Sequence, residues 1–207
     1  MRFDLPKLYP VTDARLSGLS HAEQVARLID GGATFIQLRE KRHSPQEFYR
    51  EAEEALKVAR ARGARLIIND RADIALALQS DGVHLGQDDL PPEAARRLLG
   101  SRAIIGYSTH NLEQATRASR LPVDYIAIGP IFPTSSKEQP DPLVGLEGLS
   151  RVRRATGTIP LVAIGGINLE NAREALDAGA GAVAVISSLL AQPSKIASRT
   201  REFLESL

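Results

Sequence analysis

RLIINDRADIALALQSDGVHLGQDD, residues 65–89, carries two apolar runs, at 66–68 and Gly82–Leu85. Between them Ile74, Ala75, Leu76 and Leu78 suit one packed face of a helix. The order is therefore strand, helix, strand. Each apolar run leads into polar residues, Asn69 and Asp70 after the first and Gln87, Asp88 and Asp89 after the second. In a parallel β/α unit both exits lie on the same edge of the sheet, so carboxylates far apart in sequence meet in space. Converging carboxylate oxygens suit Mg²⁺, a hard cation that keeps several waters and completes its shell with substrate phosphate. The plain alternative for Asp70 and Asp89 is a helix N-cap, a role that aspartate often fills. Which of Asp88 and Asp89 points inward stays open.

The same unit recurs in both directions. Upstream, strands are expected at 8–11, ending at Thr12 and Asp13, and at Phe35–Leu38, ending at Arg39, Glu40 and Lys41. Ser20 with Glu23, and Ser44 with Glu47 behind Pro45, read as capping boxes that open helices stopped by Gly31–Gly32 and Gly63. Downstream, Pro91 and Pro92 begin a helix that ends at Gly100. A fifth strand is expected at 103–106, ending at Ser108, Thr109 and His110, with Asn111 and Gln114 capping the next helix. A sixth at Tyr125–Ile128 runs into a long polar connection, 129–144, and connections of that length are usually functional or disordered. The seventh, Leu161–Ile164, ends at Gly165 and Gly166 and precedes a helix capped by Asn168. The eighth, 182–186, ends at Ser187 and Ser188, before a helix with Ile196, Phe203, Leu204 and Leu207 on one side.

Eight strands, each followed by a helical run, predict an α/β fold: a single-domain (β/α)₈ TIM barrel over residues 1–207. An open doubly wound sheet would gather its special residues at one switch point. Here nearly every strand exit carries reactive or glycine-rich sequence, which favours closure around one mouth.

Composition narrows the partners. With 26 basic and 25 acidic residues the formal charge is +1, so no global field attracts nucleic acid or an anionic membrane. No stretch approaches the ~20 apolar residues of a membrane span, and the first residues lack a signal-type apolar region. The absence of cysteine removes disulfides and thiolate chemistry. A cytoplasmic protein is expected, and self-association into a homo-oligomer is left open.

Several residues stand out at the expected mouth. Gln37, Arg39 and Lys41 follow one another at a spacing of two on a strand buried on both faces, so they lean the same way. Inward cations call for an anion, and a diphosphate supplies one; the alternative is a solvated loop with surface ion pairs. Thr134, Ser136 and Lys137 offer two hydroxyls and an ammonium from the long loop, or else form an ordinary polar turn. Gly165, Gly166, Ser187 and Ser188 follow strands seven and eight, where barrels commonly receive a phosphate. His110 is placed for acid–base work or is simply exposed, while His84, inside an apolar strand, reads as a satisfied core histidine. Two anion-binding sectors, one beside a metal, point to a phosphorylated and a diphosphorylated ligand held together.

Taken together, YPVTD (9–13), QLREK (37–41), IINDR (67–71), GVHLGQDDLP (82–91), GYSTH (106–110), GPIFPTSSK (129–137) and AIGGIN (163–168) resemble the thiamine-phosphate synthase family over almost the whole chain. The resemblance implies that 4-amino-5-hydroxymethyl-2-methylpyrimidine diphosphate and a thiazole phosphate become thiamine phosphate and diphosphate, with Mg²⁺. It implies contacts to the pyrimidine diphosphate from Gln37, Arg39, Lys41, Asn69, Ser108 and Lys137, and metal ligation by Asp70 and Asp89. It assigns the thiazole phosphate to Thr134, Ser136, Gly166, Ile186 and Ser187, and the catalytic work to Lys137, Arg39, Lys41 and Ser108. Ser136 departs from the usual Pro-Thr-x-Thr-Lys pattern, keeping the hydroxyl and losing a methyl. The expected chemistry is dissociative, with diphosphate leaving before the thiazole nitrogen attacks. The alternatives are a thiazole tautomerase on the same scaffold, for which His110 would suit, and a non-catalytic barrel that binds phosphorylated metabolites.

Overall fold

A computed structural model describes residues 4–134 and 141–207. The first half of the chain runs β1 (Leu8–Pro10), α1 (Ala14–Ser17), α2 (His21–Asp30), β2 (Phe35–Leu38), α3 (Pro45–Ala61), β3 (Arg65–Asn69), α4 (Ala72–Leu78), β4 (Gly82–Leu85) and α5 (Pro92–Leu99). The second continues with β5 (Ile104–Thr109), α6 (Leu112–Ala118), β6 (Tyr125–Ile128), α7 (Gly145–Thr156), β7 (Leu161–Ile164), α8 (Ala172–Asp177), β8 (Ala182–Val185), α9 (Ser187–Leu190) and α10 (Ile196–Ser206). All seven strand pairings are parallel, in the order β1-β8-β7-β6-β5-β4-β3-β2. A bridge between Val11 and Gln37, with the Thr12 N–H donating to the Gln37 carbonyl at 2.9 Å, brings β1 back against β2. The expected barrel is the observed one.

Local sequence explains the helix starts. Both capping boxes form: the Ser20 and Ser44 hydroxyls accept from the N–H groups of Glu23 and Glu47, whose carboxylates reach back to the capping N–H. Asn111 accepts from the Gln114 N–H at 2.9 Å. Two boundaries differ from expectation by more than one residue. Strand β5 continues through Thr109 because its pairing with β6 runs on to Thr109 opposite Ile128, and the Thr109 hydroxyl donates to the Ala127 carbonyl at 2.8 Å. Asn168 caps a turn rather than the helix itself: it accepts from the N–H groups of Glu170 and Asn171, and α8 starts at Ala172. The short helix α1, capped by the Asp13 carboxylate, was not anticipated.

Period-two alternation along buried strands makes two apolar layers. Outward residues such as Leu8, Ile36, Leu66, Val83, Ile105, Ile126 and Leu161 pack under the helices. Inward residues, including Tyr9, Phe35, Ile67, Ile104, Tyr125, Val162 and Ala182, fill the barrel axis. Gly106 is required there, since a Cβ at that position would stand 2.0 Å from the Tyr125 ring. The filled floor leaves the upper end of the barrel for polar side chains.

Candidate active site

A cavity of about 600 Å³ opens at the C-terminal ends of the strands. Its wall includes Gln37, Arg39 and Lys41 from the β2 exit, Asn69 and Asp70 from β3, Asp88 and Asp89 from β4, and Ser108 from β5. The opposite side carries Thr134, Gly166, Ile186 and Ser187. The described candidates therefore meet in one place, except Ser188, which does not line the cavity. Ser136 and Lys137 lie outside the described residues.

Neither aspartate acts as a helix cap. The N-cap positions of α4 and α5 are Arg71 and Pro91, and neither makes a side-chain cap hydrogen bond. Asp70 instead sits in left-handed backbone, φ 62°, an uncommon conformation for a residue other than glycine and one that turns up at functional sites. Its Oδ2 contacts the Lys41 ammonium. Asp89 Oδ2 accepts from the Gly86 N–H at 2.6 Å. Burial, partly opposed by that Gly86 N–H, and then contact with the Asp70 carboxylate raise the Asp89 carboxyl above the usual aspartate value. Two facing carboxyls beside a lysine form an oxygen donor set that fits a hard dication. Of the adjacent pair, Asp89 is the one that turns toward Asp70.

Arg39 is held by its own neighbours. Its main-chain N–H donates to Thr12 Oγ1 at 3.2 Å and its guanidinium to Asp13 Oδ2 at 3.2 Å. Asn69 is nearly buried, and among the described residues its Nδ2 has no hydrogen-bond partner. A buried donor left unpaired costs about 1–3 kcal/mol, so this amide is set to receive a ligand acceptor. His110 Nδ1 lies 3.2 Å from the Gly129 carbonyl and 3.3 Å from an Asp141 carboxylate oxygen.

Sequence reasoning passed over a buried polar chain beneath these groups. The Gln37 amide donates to the Tyr9 hydroxyl at 3.1 Å, the hydroxyls of Tyr9 and Tyr125 are 2.7 Å apart, and the Tyr125 hydroxyl lies 3.0 Å from His84 Nδ1. His84 Nε2 completes the chain 2.8 Å from Ser108 Oγ. With Gln37 donating at one end, the consistent order runs from Tyr9 to Tyr125, from Tyr125 to Nδ1, and from Nε2–H to Ser108. That polarity requires neutral His84. Burial agrees, lowering its pKa to about 4, and also pushes both tyrosine hydroxyls well above their ordinary value. His84 is a satisfied buried histidine as expected, and it also lines the cavity. The signal for Tyr9 was its two-residue spacing from Val11, which aims both along the barrel axis.

Fold and cavity together define a TIM barrel whose working surface is its C-terminal mouth. Residues 8–189 match the family model described as thiamine monophosphate synthase. The thiamine-phosphate synthase of Koribacter versatilis is 48% identical over 98% of this chain and 96% of its own length. That of Albidiferax ferrireducens is 46% identical over 100% and 95%. The thiamine phosphate pyrophosphorylase of Pyrococcus furiosus superposes with a TM-score of 0.86 at 38% identity, covering 97% of this chain and 94% of its own. The chain belongs to the thiamine monophosphate synthase family. Among its described residues, no helix is long and apolar enough to cross a membrane.

Proposed function

We propose that this chain is a thiamine-phosphate synthase that joins 4-amino-5-hydroxymethyl-2-methylpyrimidine diphosphate to a thiazole phosphate, giving thiamine phosphate and diphosphate. The carbon–oxygen bond to diphosphate breaks, its electron pair leaves with the diphosphate, and the thiazole nitrogen closes a carbon–nitrogen bond on the same carbon. The observation that carries this reading is the meeting of Asp70 and Asp89 beside Lys41 in a cavity whose far wall is Gly166 and Ser187. It separates a cation-and-diphosphate sector from a second sector suited to a lone phosphate.

In this reading Asp70 and Asp89 hold Mg²⁺, which when bound supplies charge neutralisation for the diphosphate oxygens. Arg39 and Lys41 bind and orient the diphosphate, and the Lys137 charge offsets the negative charge that grows as the bond breaks. Gln37 and Asn69 hold the aminopyrimidine in the buried part of the mouth, where the orphaned Asn69 amide gains an acceptor. Ser108 keeps its hydroxyl proton for the leaving group, because its oxygen accepts from His84. Thr134, Ser136, Gly166, Ile186 and Ser187 seat the thiazole phosphate, with Ser187 at the start of α9. No side chain needs to act as nucleophile or strong base. Positioning and electrostatics supply the rate.

The test is incubation with both substrates and Mg²⁺, following thiamine phosphate. Stoichiometric thiamine phosphate and diphosphate are expected. Isomerised thiazole phosphate with no coupled product would make the protein a tautomerase instead, and tight binding without turnover would make it a phosphometabolite-binding barrel.

A further inference from the structure

Outside the mouth, on the flank of the barrel, two histidines and two glutamates converge from four places in the sequence. His21 Nε2, at the start of α2, lies 3.4 Å from Glu40 Oε2 and 3.5 Å from Glu51 Oε2. The nearest atoms of His21, Glu40 and Glu51 all fall within 4.8 Å of one another. His43 Nδ1 closes the group from the solvent side, 3.6 Å from the same Glu40 oxygen and 3.2 Å from the same Glu51 oxygen. We propose that His21, Glu40 and Glu51, with His43 beside them on the solvent side, bind a transition-metal dication of the zinc class, at a site separate from the Asp70–Asp89 pair.

The geometry is that of a small ion. Around a tetrahedral dication with nitrogen and carboxylate bonds of ~2.0–2.2 Å, neighbouring ligand atoms stand about 3.3–3.6 Å apart. The two His21 contacts, 3.4 and 3.5 Å, have that length, and the ligand atoms of His21, Glu40 and Glu51 form one mutually close group, with His43 beside the two glutamates on the solvent side. Each ligand atom is also left available by the rest of its residue. Glu40 Oε1 accepts the N–H groups of Lys41, Arg42 and His43, so Oε2 alone faces the group. His21 Nδ1 is 2.8 Å from Thr12 Oγ1, the outer hydrogen bond that fixes a ligating imidazole.

Charge gives an independent argument. Glu51 Oε2 is buried and makes no hydrogen bond of regular geometry among the described residues, its polar neighbours being the imidazoles of His21 at 3.5 Å and His43 at 3.2 Å. His21 is fully buried, where a neutral imidazole is favoured over a cation. Two carboxylates facing that ring call for positive charge between them, and a nitrogen-and-carboxylate donor set suits zinc, copper or nickel better than magnesium. Three protein ligands leave a fourth position on the solvent side, next to His43. Its place is consequential: Glu40 lies between Arg39 and Lys41, and the Thr12 hydroxyl that orients His21 also accepts from the Arg39 N–H. A bound ion would clamp the β2–α3 connection that presents both cations to the mouth. The proposal does not depend on the reaction assigned above.

The test uses the full chain, stripped with chelator and then saturated with Mg²⁺ to satisfy the mouth carboxylates. Titration with Co²⁺ should load one ion per chain with the intense visible absorption of a tetrahedral site, and Zn²⁺ should displace it. His43→Ala and Glu51→Gln, at side chains 38% and 31% exposed, alter groups that the core does not need. Each should weaken Co²⁺ by more than ~10-fold, the least that loss of even an outer partner costs. Asp89→Asn should leave uptake unchanged. No uptake above the Mg²⁺ background, uptake that survives either substitution, or uptake lost only in Asp89→Asn would each overturn the site.

Discussion

Removing one buried oxygen atom tests the polar chain under the mouth. Tyr125→Phe deletes the hydroxyl between Tyr9 and His84 while keeping the ring that fills the space beside Gly106. Nothing is lost in packing, so the cost comes from what is orphaned. The Tyr9 proton loses its acceptor and His84 Nδ1 loses its donor, both in buried residues. Each unpaired group costs about 1–3 kcal/mol. The sum is at least ~2 kcal/mol, and at ~2–4 °C per kcal/mol for a chain of this size the melting temperature should fall by at least ~4 °C. Calorimetry, with chemical denaturation to confirm an unchanged m-value, measures it. The effect on turnover should follow, because His84 loses the contact that makes Nε2 the protonated nitrogen facing Ser108. A Tyr125→Phe protein as stable as the parent would refute the chain as described, and with it the neutral His84 tautomer.

Three further outcomes follow from the same geometry. His84 is held neutral down to about pH 4 when folded but takes a proton near 6.5 when unfolded, so its contribution is complete above pH 6.5 and is lost as the pH falls from 6.5 to 4. About 3 kcal/mol of stability should disappear over that window, and His84→Asn should flatten the slope; parallel slopes would show that another group controls it. Asp89→Asn relieves the repulsion with Asp70, so thermal stability without added metal should hold or rise while turnover drops more than ~10-fold, one charge-assisted contact being worth about 1.5–3 kcal/mol; full activity in excess chelator would remove the metal assignment. Lys137→Ala should slow single-turnover product formation about 100-fold, or ~2.7 kcal/mol, with little change in pyrimidine diphosphate affinity, and His110→Ala should cost much less; the reverse order would favour proton-transfer chemistry.

What could be read from the chain was whatever local spacing determines. Both capping boxes, the in-phase Gln37, Arg39 and Lys41, and the paired exits of β3 and β4 depend on neighbours a few positions apart, and all stand where expected. Tyr9 and Tyr125 escaped notice because an aromatic residue in a short apolar strand looks like core filling. Only closure of the barrel brings their hydroxyls together. The same holds for His21 and Glu51, which belong to different helices and meet only when α2 packs on α3. Strand β5 was read short because Ser108 and Thr109 look like a polar exit, although period two already put Ser108 in line with Gly106 and Ile104.

The barrel has one thin seam. Every other neighbouring pair of strands is joined by a ladder, whereas β1 and β2 meet, among the described residues, at the isolated Val11–Gln37 bridge, where the Thr12 N–H donates to the Gln37 carbonyl. Local opening starts where the fewest bonds must break, so this cylinder should breathe along that line. Amide hydrogen exchange will then be faster at Thr12 than at Val183, which donates to the Lys7 carbonyl on the opposite flank of β1. The seam carries Gln37, and Thr12 at its edge touches both His21 and the Arg39 N–H. Whatever ligand draws these groups together should slow exchange at Thr12 first, before any change reaches the ladders on the far side of the barrel.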